Sequence, residues 1–188
     1  GVSKLSVQTG TSHGGVVLPD GSLAQVKIDF DTLKKISEVA RKEYNLSGAV
    51  QHGASTLPDN AFHKFPETTT SEVHLATGFQ NIMYDSHSLP AEFRDFVYKH
   101  IKENFGKEKK ESQTEEQFIY STRKKGFGLI KQKWWDLPAD VKGLIMKELS
   151  DKFELLFNEL KVGGSKALVD RTVKPVIVEK KVPDNILG

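Results

Sequence analysis

Over the first eighty residues, apolar positions alternate in short strand-like runs, with one long stretch of helical spacing between the first two. SKLSVQT (Ser3 to Thr9) sets Leu5 and Val7 against Lys4 and Ser6, which predicts a strand. DFDTLKKISEVARKEYN puts Leu33, Ile36, Val39 and Ala40 on one face, and predicts a helix with Asp31 as its N-cap. Leu46 to Gln51 reads as a second strand and PDNAFHKF from Pro58 as a helical segment opening on proline. Glu72 to Thr77 reads as a third strand. Strand and helix alternating at this spacing predict parallel β-α units whose strands all end on one rim, where such folds place ligands.

Beyond Gln80 the period becomes helical. Pro90 to Phe105 is amphipathic through Phe93, Phe96, Val97 and Ile101, and Lys142 to Leu160 repeats Leu144, Ile145, Leu149, Phe153, Leu156 and Leu160. Trp134 and Trp135 read as core or interface anchors, KEKKE (Lys107 to Glu111) as a solvated face, and the tail from Gly163 as an extended arm. The domain reading is a folded unit over 1–162 and a tail over 163–188.

Composition narrows the classes. Hydrophobic residues at 37% and charged ones at 28% exclude a disordered chain. Lysine and arginine total 27 against 25 acids, a net charge of +2 that gives no general attraction to nucleic acid. No apolar run approaches the ~20 residues that cross a bilayer, and no apolar leader stands at the amino terminus, so a soluble cytoplasmic protein is expected. With no cysteine, any metal must be held by histidine and carboxylate.

The chemistry concentrates at two strand ends. GTSHGG (Gly10 to Gly15) and QHGAST (Gln51 to Thr56) each run into a histidine beside glycine, so His13 and His52 can share a pocket where bare backbone N–H groups meet an anion. Either histidine alone is more often a hydrogen-bonded structural residue than a ligand. Gly53, Ala54 and Ser55 offer donors and a hydroxyl ahead of a helix start, and Thr77 and Gly78 repeat this one strand later. A metal beside a phosphate is the expectation. His63, His87 and His100 read as solvated or locally bonded, and the chain carries no Walker-type phosphate loop, serine nucleophile elbow or HExxH zinc helix.

At GTSHGG, QHGAST and HLATGFQ (His74 to Gln80) the sequence resembles the class II, metal-dependent fructose-bisphosphate aldolases, well over Val2 to Asn81 and loosely in the later helices. The resemblance implies a (β/α)8 TIM barrel, of which these units are the last three, and a cytoplasmic, oligomeric lyase of glycolysis and carbohydrate metabolism. It implies zinc on His13 and His52, and the phosphate of dihydroxyacetone phosphate at Gly14, Gly53, Ser55, Ala76 and Thr77, with a monovalent cation (Na+ or K+) assisting. Zinc in that family polarises the ketose carbonyl as a Lewis acid. The third zinc histidine and the aspartate acting as general acid/base are implied in the first half of the barrel, upstream of Gly1. The chain is therefore expected to be a carboxyl-terminal portion partnered by the amino-terminal half.

The third motif departs from the family. Where the family has asparagine and, two residues on, aspartate before threonine, this chain has His74, Ala76 and Thr77. His74 either contacts substrate in place of the amide or is a structural histidine. The family's arginine after an aromatic-rich helix, which reaches a neighbouring subunit's phosphate, has no counterpart near KWWDLPADVK (Lys133 to Lys142). Cleavage of fructose 1,6-bisphosphate to dihydroxyacetone phosphate and glyceraldehyde 3-phosphate is the leading expectation. Another phosphorylated ketose such as tagatose bisphosphate, and a non-catalytic phosphate-binding or assembly module, are the alternatives.

Overall fold

The computed structural model describes residues 1–12 and 14–181. Three short strands, β1 (Leu5–Val7), β2 (Ala49–Gln51) and β3 (Glu72–Val73), form a parallel sheet in the order β1-β2-β3. Leu5 pairs with Ala49, Val7 with Gln51, and Gln51 with Val73. The predicted parallel β-α organisation is therefore present. What it shows is a mixed α/β chain with a small sheet and many helices.

The helix between β1 and β2, α1 (Phe30–Lys42), starts earlier than the sequence pattern predicts, because Asp29 rather than Asp31 is its N-cap. Asp29 Oδ1 accepts from Thr32 N–H at 2.9 Å and Oδ2 from the Thr32 hydroxyl at 2.7 Å, and these bonds hold its carboxyl below the ordinary aspartate range. The stretch from Pro58 is two short turns, Asp59–Ala61 and α2 (Lys64–Glu67), instead of one helix. Pro66 has no N–H for the Phe62 carbonyl four residues back, so a continuous helix from Pro58 would lose that bond at the join between the two turns. The third strand also stops short of Thr77, which instead opens α3 (Thr77–Asp85).

The remaining helices are α4 (Ala91–Phe105), α5 (Glu115–Thr122), α6 (Gly126–Leu129), α7 (Lys131–Trp135), α8 (Ala139–Glu159) and α9 (Lys166–Thr172). The segment expected as a wholly extended arm thus begins with α9, and residues 182–188 lie outside the described residues. Among the described residues no helix is long and apolar enough to cross a membrane.

Two apolar cores result. One joins the sheet to its helices through Leu33, Ala49, Phe62, Phe65 and Leu156, with Val7 and Val73 beside them. The other is helical, built on Tyr84, Val97, Ile101, Phe118 and Trp134. Both α3 and α8 reach into each core, through Phe79 and Tyr84 and through Leu156 and Ile145 respectively. Trp134 is buried as a core anchor, whereas Trp135 is 61% exposed. Leu144 and Phe153 of the predicted apolar stripe on α8 are likewise exposed.

Because Val7, Ala49 and Val73 all point into the helical side, the registered residues between them share the opposite sheet face. That face carries Lys4, Ser6, Val50, Glu72 and, at the strand ends, His52 and His74, so it is largely polar.

Candidate active site

Parallel pairing delivers the ends of β1, β2 and β3 to one rim, and a buried amide ties the first two loops together. Gln51 is fully buried, accepts from the Thr9 hydroxyl at 3.0 Å, and donates to Thr11 Oγ1 at 3.1 Å and to the His52 carbonyl at 2.7 Å. The Thr11 hydroxyl donates to the same carbonyl at 2.7 Å. A buried polar group satisfied on both ends contributes about 1 kcal/mol per bond, whereas stranding it costs about 1–3 kcal/mol.

The glycines explain how closely the loops approach. Gly53 adopts φ +72°, and a Cβ there would stand 2.8 Å from Thr11 Oγ1 and 3.0 Å from the Ser12 carbonyl oxygen. A Cβ on Gly78 would stand 2.8 Å from the Ser55 carbonyl oxygen, so the third loop presses equally hard on the second. Only glycine admits these contacts.

Of the residues singled out in the sequence, Gly14, His52, Gly53, Ser55, His74, Ala76 and Thr77 line one cleft of about 480 Å³. His13 lies outside the described residues; its chain neighbour Gly14 is on the cleft wall. Ala76 N–H donates to Ser55 Oγ at 2.9 Å, which engages these two with each other. The serine hydroxyl keeps its own proton to donate. The first turn of α3 begins at Thr77, where helix N–H groups lack partners within the helix and the dipole favours an anion.

The imidazoles of His52 and His74 meet at the rim, their ring centroids 4.5 Å apart and their planes tilted by 57°. His74 Nε2 lies 3.0 Å from Glu72 Oε2, and Lys4 Nζ bonds the other oxygen of Glu72 from across the sheet. The Lys4 bond first and the His74 bond second hold the Glu72 carboxyl below the ordinary glutamate range. Among the described residues no three histidine, cysteine, aspartate or glutamate side chains close on one point as a complete metal site. The two imidazoles they do bring together are the donor type that zinc takes, so the residues fit the group in kind.

Sequence reading missed a second layer behind the first loop. Tyr120 of α5 donates to the Gly14 carbonyl at 3.3 Å and accepts from Asn81 Nδ2 at 2.8 Å. Arg123, directly after α5, is clamped on Asp85 at 2.6 and 2.9 Å and on Asn81 Oδ1 at 2.8 Å, with its guanidinium over the rings of Tyr84 and Tyr120. Burial disfavours its charge, but Asp85 and Tyr98 outweigh burial and raise its pKa. It shares a cavity of about 110 Å³ with Gly14 and Thr77. An arginine after an aromatic-bearing helix is thus present, ahead of Lys133 to Lys142. The Phe118 and Tyr120 of its helix were the available signal.

The family described as fructose-bisphosphate aldolase, class II, matches residues 1–131, more than half of the chain. The chain belongs to that family. The match runs past the three β-α units and through α6 to the first residue of α7, so it takes in the Tyr120 and Arg123 layer as well as the cleft. No curated protein and no solved structure matches the chain. Within the aldolase family, the departure at the third loop acquires a physical setting here: His74 is held by Glu72, and Ala76 turns its amide toward Ser55.

Proposed function

We propose that the chain is part of a zinc-dependent ketose-bisphosphate aldolase that cleaves fructose 1,6-bisphosphate reversibly to dihydroxyacetone phosphate and glyceraldehyde 3-phosphate. Family membership supports the lyase class. The observation that carries the finer reading is the interlock of the two histidine-glycine loops at Gly53, which opens both onto one cleft.

In this reading His13 and His52 hold the zinc, which supplies Lewis-acid polarisation of the ketose carbonyl. Gly14, Gly53, Ser55, Ala76 and Thr77 form the phosphate cradle, with backbone N–H groups, the Ser55 hydroxyl and the start of α3 supplying donors, and a monovalent cation alongside. His74 stands at the substrate side of the same wall. The outer strands β1 and β3 each keep one unpaired edge among the described residues, which supports completion of a (β/α)8 barrel by further strands, including an amino-terminal half with the third histidine and the acid/base aspartate. Residues 1–162 then belong to the barrel and its helices, and 163–188 form the tail. The exposed Trp135, Met146 and Phe157 support self-association.

His74 and Ala76 favour a second reading on substrate alone: the same reaction on a different phosphorylated ketose, such as tagatose bisphosphate, since these residues alter the donors that meet the sugar. Metal content tests both readings against a non-catalytic assembly module. Full-length protein is expected to carry zinc, measured by elemental analysis after gel filtration, and to lose it in His52→Ala and His13→Ala. Zinc content that is absent from the parent, or unchanged in both variants, contradicts the proposal.

A further inference from the structure

On α8, Met146, Ser150, Phe153 and Phe157 stand four, three and four positions apart, and the same alternation takes in Gly143 before them and Leu160 after. That spacing is the seam of a coiled coil, in which a and d positions follow one another. Leu160 is partly buried and the others face solvent, because the two cores hold α8 by Ile145 and Leu156 on another side. The family match ends at residue 131, so α8 lies beyond it.

The charges beside the seam give it a direction. Asp140, Lys147, Glu154 and Lys161, each one place after a d position, are exposed and alternate in sign at seven-residue steps. Lys147 pairs with Asp151 on its own helix, and among the described residues the other three make no ion pair. A parallel helix would set these e positions against g positions, which are Lys142, Leu149 and Leu156, and would bring Lys147 to a lysine. Reversal about a twofold axis sets e against e instead: Lys147 meets Glu154 of a second copy, and Asp140 meets its Lys161.

The same reversal sets Gly143 against Leu160, Met146 against Phe157 and Ser150 against Phe153. Glycine weakens a helix interior, and nothing within the chain calls for one at 143, since a Cβ there would meet no atom within 4 Å. Opposite a leucine it lets two helices close. Where Met146 faces Phe157, a groove of about 520 Å³ walled by Trp135, Met146 and Leu149 gives the ring room.

We infer that α8 is the dimerisation helix of this protein, packing antiparallel on α8 of a second copy, with Met146, Phe153 and Phe157 in the seam and Lys147 on Glu154 fixing the direction. This pairing rests on the self-association proposed above, gives it a face, and draws on neither metal nor substrate.

The test is size-exclusion chromatography with light scattering on full-length protein over a concentration series, with circular dichroism to check folding. Phe153→Glu is expected to halve the mass at concentrations where the parent is assembled. Lys147→Glu is expected to raise the dissociation constant about tenfold, since exposed ion pairs are individually weak and the axis repeats this one twice. Adding Glu154→Lys should return it to the parent's value. A monomeric parent, or an unchanged mass in folded Phe153→Glu, overturns the interface. A parent-like dissociation constant in Lys147→Glu, or a defect that Glu154→Lys leaves in place, overturns the antiparallel pairing. If Phe153→Glu does not fold, the two charge variants, both on exposed side chains, decide. Zinc content and cleavage are read separately, so either reading can fail and leave the other standing.

Discussion

Gly53 shows how much a single absent side chain decides at this site. Its φ of +72° and the 2.8 Å gap to Thr11 Oγ1 leave no room for a methyl group, so Gly53→Ala is expected to destabilise the protein by about 1–3 kcal/mol. The two loops should part with it, so thermal melting should show a lower midpoint together with weaker metal retention, and an unchanged midpoint would contradict the interlock. Residues of this kind were legible in the sequence because each histidine stands beside glycine where an apolar run ends. Glu72 and Lys4 were not legible as a unit. Each reads as an ordinary polar position of a strand, and their partnership exists only because β3 and β1 flank the same central strand, 68 positions apart in the chain.

At the scale of elements, periodicity identified the helices better than their ends. Two aspartates stand two residues apart at the start of α1, and spacing alone does not say which one caps; the bonds to Thr32 select Asp29. That selection has a pH signature. Its folded pKa lies below the ordinary 3.8, so the unfolded chain binds the proton more tightly. The cap's electrostatic contribution is therefore complete above that ordinary value and is lost as pH falls through the lower folded one. Asp20, Glu72 and Glu115 are depressed in the same direction by Ser22, Lys4 and Lys102, so acid should weaken several contacts together. Asp29→Asn keeps a capping side chain without the titration and should flatten part of the loss between pH 5 and pH 2 in thermal melts. An identical slope in parent and variant would count against the cap.

Helix faces were legible where they meet a core and misleading where they do not. Val97 and Ile101 of α4 and Ile145 and Leu156 of α8 are buried as their spacing predicts. Leu144 and Phe153 belong to the same α8 stripe yet stay exposed, because the two cores grip that long helix at Ile145 and at Leu156 and neither closes over these two. The strands were found but overdrawn, since Thr77 gives its backbone to α3 and only Glu72 and Val73 remain in the ladder.

For the molecule as a whole, parallel topology matters more than the size of the sheet. It sends every loop bearing candidate chemistry to one rim, and α3 and α8 couple that rim to the helical core through shared packing. The alternation of strand and helix made this arrangement legible before any contact was known. The layer of Asn81, Tyr120 and Arg123 was not, since it depends on α5 returning to Gly14 from 106 positions away. We propose that this rim is a metal-dependent aldolase site. It is tested most directly by assaying fructose 1,6-bisphosphate and tagatose 1,6-bisphosphate cleavage by full-length protein as purified, after chelation, and after zinc is restored. Cleavage of at least one ketose, abolished by the chelator and recovered with zinc, is expected; no cleavage of either by zinc-loaded protein, or cleavage that survives chelation undiminished, would contradict the site.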